Sequence, residues 1–444
     1  MYAAISLYYQ RFQVMNEQTG GKFSSEDELF IWQQVLRENI FVIAKTPMAK
    51  HITQRTLAGY QDMETNIEYI EDIVNKSKAS VSQAAKEVRS KFNDMKFDVV
   101  IGNPPYQEES KGGNDNYRAP IYNEFMDLSN KLANVVTLIT PARFLFDAGS
   151  TPKDWNKKIL NDKHLKIIKF EADSSKIFPR TDIKGGVVIT LRDTQKNFES
   201  VNEIYSPAGI YIPFEELNGI MKKVLKNTSG DLSSIIYSPE NYKFTDLLHL
   251  ENPKAESKLS KGHKYDLKSN VFDKLPDIFL EQAPNSKDNY VKIYGLSKKK
   301  RTYRFIKEEY IANKNNFKNW KVFVPKANGS GALGETLSTP LIGKPLIGNT
   351  QTFISIGNFK TEFEAEAAMK YIKTKFARVM LGILKITQDN TSSRWRLVPL
   401  QDFTPNSDID WTKSVSEIDQ QLYKKYDLTA DEIEFIETKV QAME

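Results

Sequence analysis

Residues 97–107 read FDVVIGNPPYQ, an apolar run that ends in two consecutive prolines. The β-branched residues of the run indicate a buried strand of a parallel sheet. Pro104 and Pro105 each fix a φ angle and remove an amide donor, so the loop after the strand is stiff and rich in carbonyl oxygens. Open α/β sheets bind their ligands beyond the carboxyl ends of the strands. We therefore interpret Asn103 to Tyr106 as a candidate site rather than an ordinary turn.

The length and composition are those of a globular protein. The chain has 444 residues, of which 40% are hydrophobic and 27% are charged, and this length suffices for two or three domains with separate cores. We find no run of about 18 to 20 uncharged apolar residues of the kind a membrane span needs. The first residues, MYAAISLYYQRFQ, lack the pattern of a secretory signal. We expect a cytoplasmic protein with no membrane partner.

The absence of cysteine narrows the chemistry. It excludes disulfides, thiolate nucleophiles and cysteine-ligated zinc. The four histidines, at 51, 164, 249 and 263, do not have metal-ligand spacing, and we predict no metal site. A net charge of +5 is compatible with nucleic acid but does not argue for it alone.

The first 200 residues alternate between helical and strand-like patterns. This alternation, closed by two strands with no helix between them, predicts a mixed, mostly parallel α/β sheet with an antiparallel edge. The expected helices cover residues 3–15, 26–38, 64–92, 120–133 and 151–161, and the expected strands cover 40–44, 97–102, 135–140, 166–170 and 186–191.

The pattern changes after residue 200. We predict an α/β domain over residues 1–200, a connector over 201–265 that is rich in Ser, Asn, Lys and Pro, an α+β domain over 266–405 with Gly-rich turns, and a helical segment over 406–444.

With NPPY at the end of a strand, the chain resembles the amino-group DNA methyltransferases that modify adenine N6. The chain is most similar in style to Eco57I-like restriction-modification methylases, in which a target-recognition domain follows the catalytic domain. Softer matches, in the expected order, are ITPARFLF (139–146), IFPRTDIKGGVVITL (177–191) and KITQDNTSSRWRLVPLQDF (385–403). The resemblance implies S-adenosylmethionine as cofactor, double-stranded DNA as partner, and a restriction endonuclease as a possible further partner.

The resemblance also assigns roles to the loop residues. In such enzymes the side-chain oxygen of Asn103 and the carbonyl of Pro104 would accept the adenine N6 hydrogens, and the Pro104–Pro105 pair would hold both acceptors aligned. Tyr106 would stack on a base flipped out of the duplex, with Phe178 contacting that base from its other side. The alternatives are an ordinary Pro-Pro-Tyr turn or WW-domain ligand, and core packing for Phe178.

Two features depart from the family pattern. In the family, a Gly-rich cofactor loop follows the first strand, and in this chain that loop should precede the helix at 3–15. Ala44 occupies the position at which the family has an acidic residue that binds the ribose of the cofactor. We therefore expect a methyltransferase-like sheet without its first strand and cofactor loop, and little or no S-adenosylmethionine binding by this chain alone. The chain would be part of a longer or split enzyme, another chain would supply the N-terminal half, or the sheet would pair differently.

A basic stretch predicts the DNA-contacting surface. Residues 291–326 hold eleven Lys or Arg side chains interleaved with aromatic ones, as phosphate-contacting and stacking surfaces require. The alternative is a solvated charged face over a local core. The candidate DNA-binding residues are Lys298, Lys299, Lys300, Arg301, Arg304, Lys326, Asn328, Arg394 and Arg396, the last two flanking Trp395 at strand-like spacing.

Two rival functions remain open at this stage. The first is a catalytically inactive, cofactor-deficient DNA-binding remnant or a subunit of a split enzyme. The second is an RNA or protein methyltransferase that uses the same loop. We see no Asp…Glu-x-Lys constellation that would indicate a fused nuclease.

Overall fold

The structure is a computed structural model that describes residues 1–22, 24–108, 118–204, 209–285, 287–312 and 315–443. The chain divides into two compact units. Unit 1 comprises residues 1–140, 163–169 and 188–198, and unit 2 comprises residues 141–162, 170–187 and 199–444.

Unit 1 is an α/β unit. Its helices are α1 (Tyr2–Thr19), α2 (Ser25–Glu38), α3 (Pro47–Ala58), α4 (Ile73–Ala79), α5 (Val81–Ser90) and α6 (Tyr122–Leu132). Its strands are β1 (Phe41–Ala44), β2 (Asn66–Tyr69), β3 (Phe97–Gly102), β4 (Ala133–Pro141), β5 (Leu165–Glu171) and β6 (Val187–Asp193), of which a few terminal residues of β4, β5 and β6 count with unit 2.

These strands form two sheets. β1 and β2 pair in parallel as a two-stranded sheet, and the other four strands follow the order β3-β4-β6-β5. β3 and β4 are parallel. Hydrogen bonds at the two ends of β6, from Thr194 to Asn134 and from Ala142 to Gly186, give β6 an antiparallel sense relative to β4. The expected mixed sheet is present, but its antiparallel strand is interior rather than at the edge.

Two details of the expected secondary structure are wrong. The stretch 64–92, interpreted as helical throughout, begins with β2 before the helix pair α4 and α5. The run Phe97–Ile101, expected to be a buried strand, is a sheet edge in which Val99 is 53% exposed and Ile101 is 59% exposed. Val99 and Ile101 alternate along β3 and so lie on the same face of the sheet, which is left uncovered there, and the composition of the strand does not reveal this.

The core of unit 1 has two parts. One packs Leu36, Leu57, Met63 and Ile67 between α2, α3 and the β1-β2 sheet. The other joins α4, α5 and α6, with buried residues that include Val88, Phe92 and Leu128. Edge-to-face contacts among Phe41, Phe92 and Phe97, with ring centroids 5.4 to 5.9 Å apart, fix the start of β1 beside the start of β3.

Unit 2 is α+β. Its helices are α7 (Lys153–Leu160), α8 (Val201–Ile204), α9 (Glu215–Lys226), α10 (Asp246–Glu251), α11 (Lys254–Lys258), α12 (Val271–Lys274), α13 (Glu362–Lys373), α14 (Lys375–Leu384), α15 (Val415–Lys425) and α16 (Ala430–Lys439). Its strands are β7 (Ile236–Tyr237), β8 (Lys243–Phe244), β9 (Tyr290–Ser297), β10 (Lys300–Lys307), β11 (Ile311–Ala312), β12 (Trp320–Pro325), β13 (Leu341–Gly343), β14 (Ile347–Asn349) and β15 (Phe353–Phe359).

The strands of unit 2 form small sheets, with the orders β13-β12-β15-β7, β10-β9-β14 and β11-β8. Helices α13 and α14 belong to the largest core cluster, which also includes Trp395 and Trp411. α14 buries nearly every residue because it is apolar on all sides, as expected of a core helix. Capping boxes at Ser414 and Thr429 start α15 and α16.

The prediction of a connector over 201–265 needs correction. Ile210 and Ile212 are fully buried, and so is the apolar face of α9, which belongs to the largest core cluster. Further along, Tyr242 and Leu248 lie in a second cluster with β9 and β10. The polar composition of this stretch hides apolar residues at helical spacing, so the segment forms part of the unit 2 core.

Among the helices that the structure describes, none combines the length and the apolar character needed to cross a membrane.

Candidate active site and nucleic-acid interface

The Asn-Pro-Pro-Tyr loop leaves the carboxyl end of β3. Asn103 is exposed, and Pro104 and Pro105 are half-buried. Within the described residues, neither the Asn103 side chain nor the Pro104 carbonyl takes part in a hydrogen bond. Two successive residues therefore carry oxygen acceptors that are unengaged within the described chain, on backbone that proline restricts.

The far side of this loop is tied to the start of α6. The N–H of Ile121 donates to the carbonyl of Tyr106 at 3.1 Å, and the N–H of Glu108 donates to the carbonyl of Ala119 at 3.0 Å. Gln107 and Pro120 complete this short antiparallel bridge. The loop is thus held at both ends, by β3 before it and by residues 119–121 after it.

Tyr106 is half-buried and its hydroxyl is buried. Among the residues that the structure describes, this hydroxyl has no hydrogen-bond partner. Burial raises the pKa of Tyr106 to about 12, so the phenol stays neutral at physiological pH. An unpaired buried hydroxyl costs free energy, and the ring rather than the hydroxyl is the part suited to contact a ligand.

The end of β1 was expected to mark the cofactor side. Ala44 is buried, Lys45 is exposed, and Thr46 caps α3 by accepting the N–H of Ala49 at 3.1 Å. The neighbouring carboxylate, Glu68 on β2, forms an ion pair with Lys50 at 3.0 Å. This strand end offers no carboxylate for ribose hydroxyls, so these residues do not fit S-adenosylmethionine at that point, and we derive no step through the cofactor.

Phe178 lies in unit 2, in a compact turn that follows a 3-10 helix (Ser174–Lys176). The hydroxyl of Ser174 organises the turn, donating to the carbonyl of Thr181 and accepting the N–H of Ile183, both at 2.8 Å. Phe178 is half-buried, and its N–H donates to the carbonyl of Ser174 at 2.8 Å. Sequence reasoning missed Ser174, although a serine at the start of such a turn is a recognisable signal.

The basic run predicted over 291–326 forms the β9-β10 hairpin and its neighbours, with Lys314 outside the described residues. On the strands behind the tip, the cations Lys292, Arg304 and Lys307 are already engaged. Arg304 pairs with Glu281 at 2.8 Å, Lys307 pairs with Asp288 at 2.9 Å, and Lys292 lies over the ring of Phe305. Lys298, Lys299 and Lys300, at the hairpin tip, are exposed and form no ion pair within the described chain. The available positive charge is concentrated at the tip.

Arg301 is exposed but engaged. Its guanidinium donates to the carbonyls of Thr339 at 3.0 Å and Ser338 at 3.2 Å, and it lies 5.6 Å from the ring centroid of Phe353. Arg301 therefore connects the hairpin to segment 338–339, which gives it a structural role in addition to the predicted one.

Asn328 is buried, so its predicted contact with DNA needs correction. Its side-chain oxygen accepts the N–H of Ser338 at 2.5 Å, and its amide donates to the carbonyl of Thr336 at 2.9 Å. The carbonyl of Ser338 thus accepts a hydrogen bond from Arg301, and its N–H donates one to Asn328. These two bonds connect the hairpin with the Gly-rich turn. Sequence reasoning predicted both residues but not this junction.

The turn after Asn328 is fixed by a buried ion pair. Glu335 accepts the N–H groups of Ser330 at 2.7 Å and Gly331 at 3.1 Å, and it also pairs with Lys385, which is 2% exposed. Gly331 has a φ of +91°, and a Cβ there would lie 2.2 Å from the backbone of Ile386. Only glycine fits this approach.

The remaining predicted residues lie along the same framework. Lys326 accepts the N–H of Asn390 on its carbonyl at 2.8 Å, and Arg394 contacts Asp389 at 3.4 Å. Arg394 and Arg396 do not flank Trp395 on a strand, because Ser392–Trp395 is a 3-10 helix, and of the two only Arg396 is exposed. Trp395 is fully buried and anchors this turn.

Among the described residues, no group of three or more His, Asp or Glu side chains is arranged to hold a metal ion.

Comparisons with known proteins match part of this chain to methylases. Residues 38–178 match the model of the Eco57I restriction-modification methylase. An uncharacterised adenine-specific methylase of Mycoplasma pneumoniae is 33% identical over 129 residues, which is 27% of this chain and 29% of that protein. The chain thus aligns with less than a third of the length of that relative.

Two solved structures are similar at 10% sequence identity. The type IIG restriction endonuclease BpuSI covers 93% of this chain and 65% of its own, with a TM-score of 0.30. The type IIL restriction-modification enzyme MmeI, solved in complex with DNA, covers 98% of this chain and 76% of its own, with a TM-score of 0.42.

Proposed function

We propose that the protein acts in site-specific methylation of adenine N6 in double-stranded DNA, because residues 38–178 match the Eco57I restriction-modification methylase. The target adenine is flipped into the NPPY loop. Asn103 and the Pro104 carbonyl accept its amino hydrogens, and Tyr106 stacks on its ring.

The observation that carries this proposal is the pair of unengaged acceptors on Asn103 and Pro104. An adenine amino group would offer its two N–H donors to these acceptors and keep the nitrogen lone pair unengaged. Acceptors fixed before the base arrives lose little entropy on binding, which is the condition for strong stabilisation. The anchors on both sides of the loop supply this rigidity.

The methyl donor of the family is S-adenosylmethionine. Since the end of β1 provides no carboxylate, we propose that residues beyond this strand end contribute the cofactor side. A strand added at the free edge of β3 would pair the backbone groups that this edge leaves open. Such a strand would come from a longer or split enzyme or from another chain, and the same assembly would act beside a restriction endonuclease.

Unit 2 carries the proposed target-recognition region, within the predicted range 266–405. This proposal is supported by the framework that joins Arg301, Ser338, Asn328 and the 388–394 segment. Rigid placement of the exposed cations is what positioning contacts on DNA phosphates need. Lys298, Lys299, Lys300, Arg394 and Arg396, with Lys326 and Arg304 flanking them, are the proposed contacts.

A second candidate function rests on Ala44. A chain with an intact base-side loop but no ribose-binding acid also fits a catalytically inactive DNA-binding subunit. Methylation of DNA separates the two candidates, because only the first requires a bound methyl donor.

The test is transfer of labelled methyl groups from S-adenosylmethionine to unmethylated plasmid DNA by the full chain in the assembly that supplies the cofactor side, with N6-methyladenine identified by mass spectrometry. Asn103→Ala should abolish transfer, and Asn16→Ala, at an exposed asparagine of α1, should not. DNA binding without methylation supports the second candidate. Equal methylation by Asn103→Ala contradicts the role of Asn103, and methylation of RNA or protein instead of DNA contradicts the proposed substrate.

A further inference from the structure

The tip of the β9-β10 hairpin is a two-residue turn in a conformation that lysine rarely adopts. Ser297 pairs with Lys300 across the hairpin, and the residues between them, Lys298 and Lys299, have φ angles of +49° and +65°. Two positive φ angles in a two-residue loop define a type I′ turn, which Asn-Gly fills with least strain. Lysine has a Cβ that crowds this left-handed region, so both positions are strained.

The strain is held by contacts from outside the hairpin. Asp273 on α12 accepts the N–H of Lys298 with both carboxylate oxygens at 3.1 Å and the hydroxyl of Ser297 at 3.0 Å. One side chain therefore fixes the first strained residue and the last residue of β9. Strained backbone that is fixed by its surroundings occurs preferentially at functional sites.

The base of the hairpin is equally rigid. Tyr294 on β9 stacks on Phe353 with ring centroids 4.6 Å apart, on Phe323 at 5.7 Å, and contacts Tyr303 on β10 at 4.9 Å. Arg301, the second residue of β10, is held by the carbonyls of Ser338 and Thr339. The tip is thus a short projection on a fixed aromatic base.

The charge of the tip is available to a ligand. Lys298, Lys299 and Lys300 are exposed and unpaired within the described chain, whereas the strand cations behind them are engaged by Glu281, Asp288 and other groups. Three adjacent ammonium groups on a rigid turn match a row of phosphates, whose spacing along one DNA strand is a few ångströms. A glycine-containing turn would relieve strain but remove this charge.

We propose that the Lys298–Lys299 turn is a preformed contact for the DNA phosphate backbone and that Asp273 is its positioning residue. The turn has lysines at two strained positions because their positive charge contacts the phosphates. This inference rests on the proposed DNA-binding function. Asp273 is negatively charged and lies beside the basic tip, but by holding the turn in place it strengthens the binding of DNA.

The first test replaces the turn with Asn-Gly in the full chain, as Lys298→Asn with Lys299→Gly. Binding of a fluorescent DNA duplex is measured by anisotropy from 50 to 300 mM salt, and stability by urea unfolding. We expect a higher urea midpoint together with weaker binding. Loss of two phosphate contacts should reduce the slope of log affinity against log salt by about 1.8 and lower affinity about 60-fold at 0.1 M salt.

The second test separates positioning from charge. Asp273→Ala removes a negative charge near the lysines, so charge alone predicts tighter DNA binding, whereas loss of the anchor predicts weaker binding. Asp273→Asn keeps an oxygen acceptor and should retain wild-type affinity or exceed it. We expect Asp273→Ala to bind at least about threefold more weakly than Asp273→Asn, with a salt slope close to that of the wild type.

The outcomes distinguish the two proposals. A wild-type chain without salt-dependent DNA affinity overturns the proposed function and this inference with it. Wild-type binding with an unchanged slope in the Asn-Gly variant overturns the contact alone. Tighter DNA binding by both Asp273 variants overturns the positioning role of Asp273. A lower urea midpoint in the Asn-Gly variant overturns the claim that the lysine turn is strained.

Discussion

The N–H of Ile121 donates to the carbonyl oxygen of Tyr106 at 3.1 Å, which ties the last residue of the NPPY loop to the N-terminal end of α6. Tyr106 is therefore fixed by its backbone, while its ring is free of any hydrogen-bond constraint at the hydroxyl. The loop is positioned by main-chain contacts on one side and by β3 on the other, so its side chains are available for a ligand.

Asn103→Ala should leave the fold intact and remove activity. Because Asn103 is exposed, the free energy of unfolding should change by less than about 0.5 kcal/mol. In the assembly that methylates DNA, loss of one pre-aligned acceptor should lower the transfer rate by about 10² to 10³. Urea unfolding and single-turnover methyl transfer measure the two effects. A strongly destabilised variant with normal transfer would contradict the assignment.

Tyr106→Phe should stabilise the protein. It removes a buried hydroxyl that has no partner within the described residues, and relief of that desolvation is worth about 1 kcal/mol in the free energy of unfolding. The ring remains, so base stacking should persist. Urea midpoints of the wild type and the variant, with Tyr69→Phe as control, provide the measurement. A loss of stability would mean that the hydroxyl is engaged.

Glu335→Ala should be strongly destabilising. It leaves the ammonium of Lys385, which is 2% exposed, without its charge partner and frees the N–H groups of Ser330 and Gly331. Breaking such a buried pair costs about 3–5 kcal/mol. Glu335→Gln keeps an acceptor for the turn and should cost less. Equal unfolding free energies for the two variants would contradict this account of the turn.

The stability of unit 2 should depend on Lys321 at alkaline pH. Lys321 is fully buried, its ammonium donates to the carbonyls of Ile347 at 2.9 Å and Phe317 at 3.3 Å, and burial lowers its pKa to about 7. Between pH 7 and the ordinary lysine pKa, the unfolded chain binds more protons than the folded one. This group therefore adds stability as pH rises from about 7 to 10, by at most about 1.4 kcal/mol for each unit of pKa shift.

Lys321→Met isolates that contribution, because the difference in unfolding free energy between wild type and variant cancels the other titrating groups. The free energy of unfolding of the wild type, relative to that of the variant, should increase as pH rises from 7 to 10. It should decrease again as pH falls back to 7. Measured in urea at intervals of one pH unit, a difference that does not vary with pH would show that Lys321 titrates normally in the folded protein.

Local patterns in the sequence determined the elements of the α/β unit and the position of the loop. The strand at 97–102, the two prolines and the helices α1 and α2 follow from residue type and spacing, which act over a few residues. The same local patterns misjudged exposure, because Val99 and Ile101 look like core residues until it is known whether their face of the sheet is covered. The stretch over 201–265 looked like a connector for a similar reason, since few but regularly spaced apolar residues carry its packing.

The amino-acid sequence by itself determined which residues are proposed to carry the chemistry: a proline-restricted pair of acceptors and a run of cations. Only the tertiary structure decided which of those cations are available. Arg304 and Lys307 are neutralised by carboxylates from distant segments, Asn328 is buried in a turn, and the strained lysines at 298 and 299 remain exposed. The physical reason is that pairing and burial depend on contacts between residues far apart in the chain, which spacing along the sequence does not encode.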